Sequence, residues 1–148
     1  AVLIDWRVSF QFYNSDLTRV RFIDKISPDC KKIYQIVLDA QSFAIDSIKP
    51  GRKARAVDGA ARSYIEKKGF AKCFGHGLGH GIGLEVHEAP IINSRSKEIL
   101  EENMVFTVEP GIYLPGWGGV RIEDMVLVSS GGCSVLSNVP KEFKDIVI

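Results

Sequence analysis

At 148 residues, 45% of them hydrophobic and 25% charged, the chain has the size and composition of one globular domain with a sizeable core. Nineteen basic and eighteen acidic residues leave a formal charge of +1, so no long-range field recruits nucleic acid or an anionic membrane, and binding must be argued from a local site. No apolar run approaches the roughly 20 residues that span a bilayer, and no basic stretch followed by an apolar one marks a secretion signal.

In chain order, residues 1–10 and 12–24 are β-rich and predicted to pair as an antiparallel hairpin, although Phe10-Gln11 lacks Asn-Gly turn chemistry. Ala1-Val2-Leu3-Ile4 reads as the middle of a strand already under way, and the chain does not start with Met, so the expectation is a truncated domain whose first half lies upstream. Ser27-Pro28 is an N-cap and first-turn proline for a helix ending near Pro50-Gly51, with Ile33, Ile36, Val37, Ala40, Phe43, Ala44 and Ile48 on its apolar stripe. A second helix is expected from about Lys53 to Lys68, closed by Gly69. From Phe70 the texture becomes glycine-punctuated strand at 75–90, 104–114, 118–130 and 133–137, an α+β layout in one structural unit over 1–148. Cys30, Cys73 and Cys133 are widely spaced without a CxxC pair, which suits reduced thiols packed as small hydrophobes in a cytoplasmic protein.

Asp5, Asp16, Glu109 and Glu123 each stand alone inside an apolar strand run. A buried, unpaired carboxylate costs several kcal/mol, so each needs a partner. A hairpin turning at residues 10 and 11 sets Asp5 opposite Asp16, with the carboxylates about 5 Å apart and repulsive unless a cation lies between them. Taken singly, each acid reads as a salt bridge or a solvated strand face. Taken together, their four charges match two divalent ions, and an oxygen-rich shell with one imidazole suits Mn²⁺, Co²⁺, Fe²⁺ or Zn²⁺. The imidazole comes from His76, His80 or His87, the only three histidines, all within the glycine-rich run at 75–90. HGLGH and HGIGLEVH do not fit the HExxH zinc-protease pattern.

LID, then SDLTR, GHGLGHGIGLEVHE, FTVEPGIY and GGVRIED, in that order along the whole chain, resemble the catalytic domain of the pita-bread metallopeptidases. HGLGHGIGLEVHEAP with VRIED is more similar to the Xaa-Pro peptidases, prolidase and aminopeptidase P, than to methionine aminopeptidase or creatinase. The resemblance implies the C-terminal half of a pita-bread fold, with a curved antiparallel sheet and two packing helices. It implies two divalent ions, Mn or Co before Zn or Fe. Asp5 becomes a terminal chelating ligand, Asp16 a bridging one, His80 the imidazole ligand, and Glu109 and Glu123 the remaining carboxylates. Glu109 also serves as proton acceptor, His87 assists catalysis and faces substrate with His76, and Arg121 holds substrate. The implied reaction is metal-assisted hydrolysis of the bond before proline, in dipeptides or at peptide N-termini, by a homo-oligomer that engages neither nucleic acid nor membrane.

Two departures stand out. Arg7-Val8 and Phe12 occupy positions where the family commonly has Gly-Ala and Gly. Arg7 shares a strand face with Asp5 and either leans into solvent or enters the cleft. The rival reading is a metal-free relative that recognises peptides or proteins; such chains have an eroded ligand set, whereas here all five ligand positions are filled.

Overall fold

A computed structural model describes residues 1–148. The N-terminal hairpin forms from β1 (Val2–Phe10) and β2 (Tyr13–Arg21), but in a different register from the one expected. The turn is Gln11-Phe12, so Asp5 lies opposite Thr18 and Asp16 opposite Arg7. Both turn residues adopt positive φ, 49° and 69°, the pairing whose twist matches the flanking strands. That match decides the register although neither residue is Gly or Asn. Asp5 and Asp16 become diagonal neighbours on one face, with backbones about 7–8 Å apart rather than directly opposed. β1 is exposed throughout, and its outer edge pairs with no strand.

Helix α1 (Pro28–Asp46) begins where Ser27 accepts a hydrogen bond from the Cys30 amide at 3.2 Å, satisfying one orphan donor of the first turn. Ile33, Ile36, Val37, Ala40, Ala44 and, beyond the helix, Ile48 are buried as the periodicity predicts. Phe43 is not; it is 51% exposed and lies against the Tyr64 ring, with centroids 4.8 Å apart. Ala40 and Ala44, its neighbours on the stripe, are fully buried, while the Phe43 ring covers the outer side of the second helix at Tyr64. Helix α2 (Ala54–Lys67) packs beside α1, buries Ala54, Val57, Ala61 and Ile65, and is followed by Gly69 at φ 89°.

The glycine-rich half is a five-stranded antiparallel sheet in the order β4-β3-β5-β8-β9, comprising β3 (Gly79–Gly81), β4 (Glu88–Ile92), β5 (Val105–Val108), β8 (Asp124–Ser129) and β9 (Gly132–Val135). A separate two-stranded ribbon pairs β6 (Gly111–Leu114) with β7 (Gly118–Arg121). A side chain at Gly79 would place its Cβ 1.8 Å from the Thr107 carbonyl oxygen, so this strand crossing needs glycine. The runs at 104–114 and 118–130 are not continuous strands. Each breaks at its glutamate, between β5 and β6 at Glu109-Pro110 and between β7 and β8 at Ile122-Glu123. Pro110 has no N–H for a ladder, and both runs leave the large sheet at the same corner.

The chain also contains a 3-10 turn, Ala71–Cys73, and a short third helix, α3 (Phe143–Ile146), beyond the two helices expected. The Ile146 carbonyl accepts from the Phe22 amide at 2.8 Å, tying the C-terminus to the end of β2. No helix is long and apolar enough to cross a membrane.

Candidate metal centre

The corner where the two sheets part collects the acids. The Glu109 amide donates to the Leu78 carbonyl at 2.8 Å and the Glu123 amide to the Thr18 carbonyl at 3.2 Å, so both glutamates are pinned by the neighbouring strands rather than by their own ladder. Ligand atoms of Asp16, His80 and Glu123 lie within 4.8 Å of one another. Glu109 joins through its Oε1, 3.3 Å from His80 Nε2. Asp5 faces the same cluster from β1 but ion-pairs with Arg121. Arg7 is exposed and takes part in no ion pair.

The electrostatics are those of an anion cluster short of cations. Burial, followed by the Glu109 charge, pushes the Glu123 carboxyl up to about 8, against the 2.6 Å hydrogen bond donated by Thr18. Burial and then Asp5 also raise Asp16. Burial works against a charged His80, yet the bonds to Glu109 and to the Gly81 carbonyl, with the surrounding carboxylates, hold it above its usual range. His80 Nδ1 is 3.0 Å from the Gly81 carbonyl oxygen. This contact makes Nδ1 the donor and turns Nε2 with its lone pair toward the acids when the ring is neutral. Clustered carboxyl groups and one imidazole presenting Nε2 form a donor set suited to divalent cations.

This chain belongs to metallopeptidase family M24. The family pattern matches residues 1–130. The Xaa-Pro dipeptidase of Pyrococcus horikoshii is 45% identical over 141 residues, covering 95% of this chain and 40% of that protein. Among solved structures, an Xaa-Pro dipeptidase from Bacillus anthracis superposes with a TM-score of 0.95 at 46% identity, over 99% of this chain and 41% of that one. An X-Pro aminopeptidase from Thermotoga maritima gives a TM-score of 0.95 at 44% identity, with coverages of 99% and 41%. The fold is therefore pita-bread, and membership of the family implies divalent metal ions. The chain spans about 40% of the length of the curated relatives it matches.

Beside the acids lies an open cavity of about 330 Å³ lined by His76, His80, Glu109, Tyr113 and Arg121, together with Ile91 and Asn93. His76 Nδ1 is 2.7 Å from the Gly77 carbonyl, and its Nε2 is 2.9 Å from the Tyr113 hydroxyl. Arg121 donates to that hydroxyl at 3.2 Å and to Thr18 Oγ1 at 3.1 Å. His87 does not line the cavity; it is exposed and packs against His80, with ring centroids 4.2 Å apart.

Sequence reasoning passed over Thr18, Thr107 and Tyr113. Thr18 supports Glu123, and Thr107 donates to Glu109 at 3.1 Å. Each threonine stands two residues from an acid in the sequence, on the same strand face in regular β geometry. That spacing was the available signal. Tyr113 had none, because the ribbon that swings it over His76 is a tertiary feature.

Proposed function

We propose that the full-length protein is a dinuclear Xaa-Pro peptidase and that this chain carries its metal-binding part. The observation that bears most weight is the convergence of Asp16, His80 and Glu123, with Glu109 against His80, next to the cavity that His80 and Glu109 line. Asp5, Asp16, His80, Glu109 and Glu123 hold the two ions, Mn²⁺ or Co²⁺ before Zn²⁺ or Fe²⁺. When bound, the ions supply Lewis acidity toward the scissile carbonyl and a water made nucleophilic near neutral pH.

The remaining work falls to side chains. Glu109 borders the cavity and takes up the proton released on attack. His76 and Arg121, linked through Tyr113, orient the substrate on the other wall. His87, adjacent to His80 but outside the ligand cluster, donates a proton or hydrogen bond to the developing intermediate or leaving group. The substrate is a peptide with proline in second position. The names of the similar proteins, Xaa-Pro dipeptidase and X-Pro aminopeptidase, support this reading. The free state of Cys30, Cys73 and Cys133 supports a reducing, cytoplasmic setting.

Elemental analysis of Mn²⁺-loaded full-length protein, combined with an Xaa-Pro hydrolysis assay with and without chelator, tests the proposal. Two ions per chain and chelator-sensitive cleavage are expected. One ion or fewer in folded protein refutes the dinuclear site, and peptide binding without cleavage supports the metal-free rival.

A further inference from the structure

We infer that Gln41, a fully buried residue of helix α1, is the positioning residue that sets the spacing of Glu109 and Glu123. Its side-chain amide donates to the Val108 carbonyl at 3.0 Å and the Ile122 carbonyl at 3.2 Å. These are the residues immediately preceding the two glutamates. The β5–β8 ladder ends at Val108 opposite Asp124 and pairing resumes in the ribbon at Gly111 opposite Arg121, so between them the ladder is interrupted. There the only direct backbone link is a long 3.4 Å bond from the Ile122 amide to the Pro110 carbonyl, and the Gln41 side chain adds a second bridge at the residues preceding the two glutamates.

The orientation of the amide follows from its other neighbour. Gln41 Oε1 accepts from Lys141 Nζ at 2.7 Å, and Lys141 also donates to Asp124 Oδ2. A lysine ammonium has only donors, so the oxygen must face it and the NH₂ must face the two carbonyls. Arg19 completes the brace: its Nη2 pairs with Asp124 at 2.6 Å and its Nη1 donates to the Glu123 carbonyl. A partner displaced by a few tenths of an ångström moves the carboxylate attached to it. Outer partners of this kind commonly govern metal affinity by about 10- to 100-fold. The role rests on the proposal that Glu109 and Glu123 hold the ions.

The test is a Mn²⁺ binding isotherm on the full-length protein, compared among wild type, Gln41→Met, Lys141→Met and Val37→Ala. Methionine keeps Gln41's approximate volume but cannot donate to the carbonyls. Lys141→Met removes the group that orients the amide, together with its ion pair to Asp124, at a partly exposed site, and is the second variant if Gln41→Met does not fold. Val37→Ala cuts the core of the same helix and serves as a control for general destabilisation. At least tenfold weaker binding of the second ion in Gln41→Met or Lys141→Met, with Val37→Ala near wild type, is expected. Equal weakening in all three variants, or none in the two polar variants, overturns the inference. Glu123→Gln separates the two levels of the argument. If it leaves both binding steps unchanged, the ligand assignment itself is wrong, whereas a weakened Glu123→Gln beside a normal Gln41→Met sinks only the brace.

Discussion

Replacing Glu123 by Gln should remove most of the pH dependence of stability in the metal-free chain. Glu123 is 2% exposed, and burial with nearby acids moves its carboxyl from 4.5 to about 8. Because the folded pKa is raised, the stabilising contribution is complete below pH 4.5 and is lost as pH rises to about 8, where the unfolded chain has already ionised and the folded chain must follow. At 1.36 kcal/mol per tenfold, the displacement corresponds to ~5 kcal/mol, a large part of the roughly 5–15 kcal/mol that holds a domain together. The glutamine of the variant does not titrate, and its side-chain carbonyl can still accept the Thr18 hydroxyl that lies 2.6 Å from the Glu123 carboxyl. Urea unfolding in chelator at pH 4.5, 6, 7 and 8.5 measures the effect. Wild type should lose several kcal/mol more than Glu123→Gln across that range, and Mn²⁺ should restore the loss. Parallel pH profiles for the two proteins would refute the buried, proton-holding carboxylate.

Metal uptake near pH 7 should release protons, because Glu123, at about 8, must lose its proton to bind cations; Mn²⁺ affinity should therefore increase with pH up to about 8, as calorimetry in buffers of different ionisation enthalpy would show. His80→Ala should lose metal, whereas His87→Ala in the full-length protein should keep its metal and lower kcat by about 10²-fold; equal metal loss in both, by elemental analysis, would reverse the division of roles. The isolated chain should self-associate, since Val2, Ile4, Trp6, Val8 and Phe10 form an exposed apolar row on a strand with a free edge. Light scattering checks this, and a monodisperse monomer that cleaves Xaa-Pro substrates would contradict it.

The α+β class, the presence of both long helices and the Ser27 cap of the first were readable in the linear chain, whereas that helix ends at Asp46, short of the Pro50-Gly51 stop its sequence suggests. Helical stripes and N-caps depend on interactions within a few residues, so Ser27, Ile33, Val37 and Ala44 behave as their spacing requires. Lone carboxylates in apolar runs signal a charge that something must compensate, and burial does raise Asp16 and Glu123.

Tertiary structure alone decided the geometry of the corner. The hairpin register followed from left-handed turn residues at Gln11 and Phe12, a choice that composition did not announce. Phe43, placed on the apolar stripe by its spacing, lies half-exposed against Tyr64 of the second helix, a neighbour that only the packing of the two helices brings to it. Glu109 and Glu123 fall at strand breaks rather than within strands, and their spacing depends on Gln41, far away in sequence, through two backbone carbonyls. Local spacing determines which faces are apolar and which residues can ionise. It does not encode which carbonyls lose their ladder partners when two sheets diverge, because that depends on how separate elements meet in space.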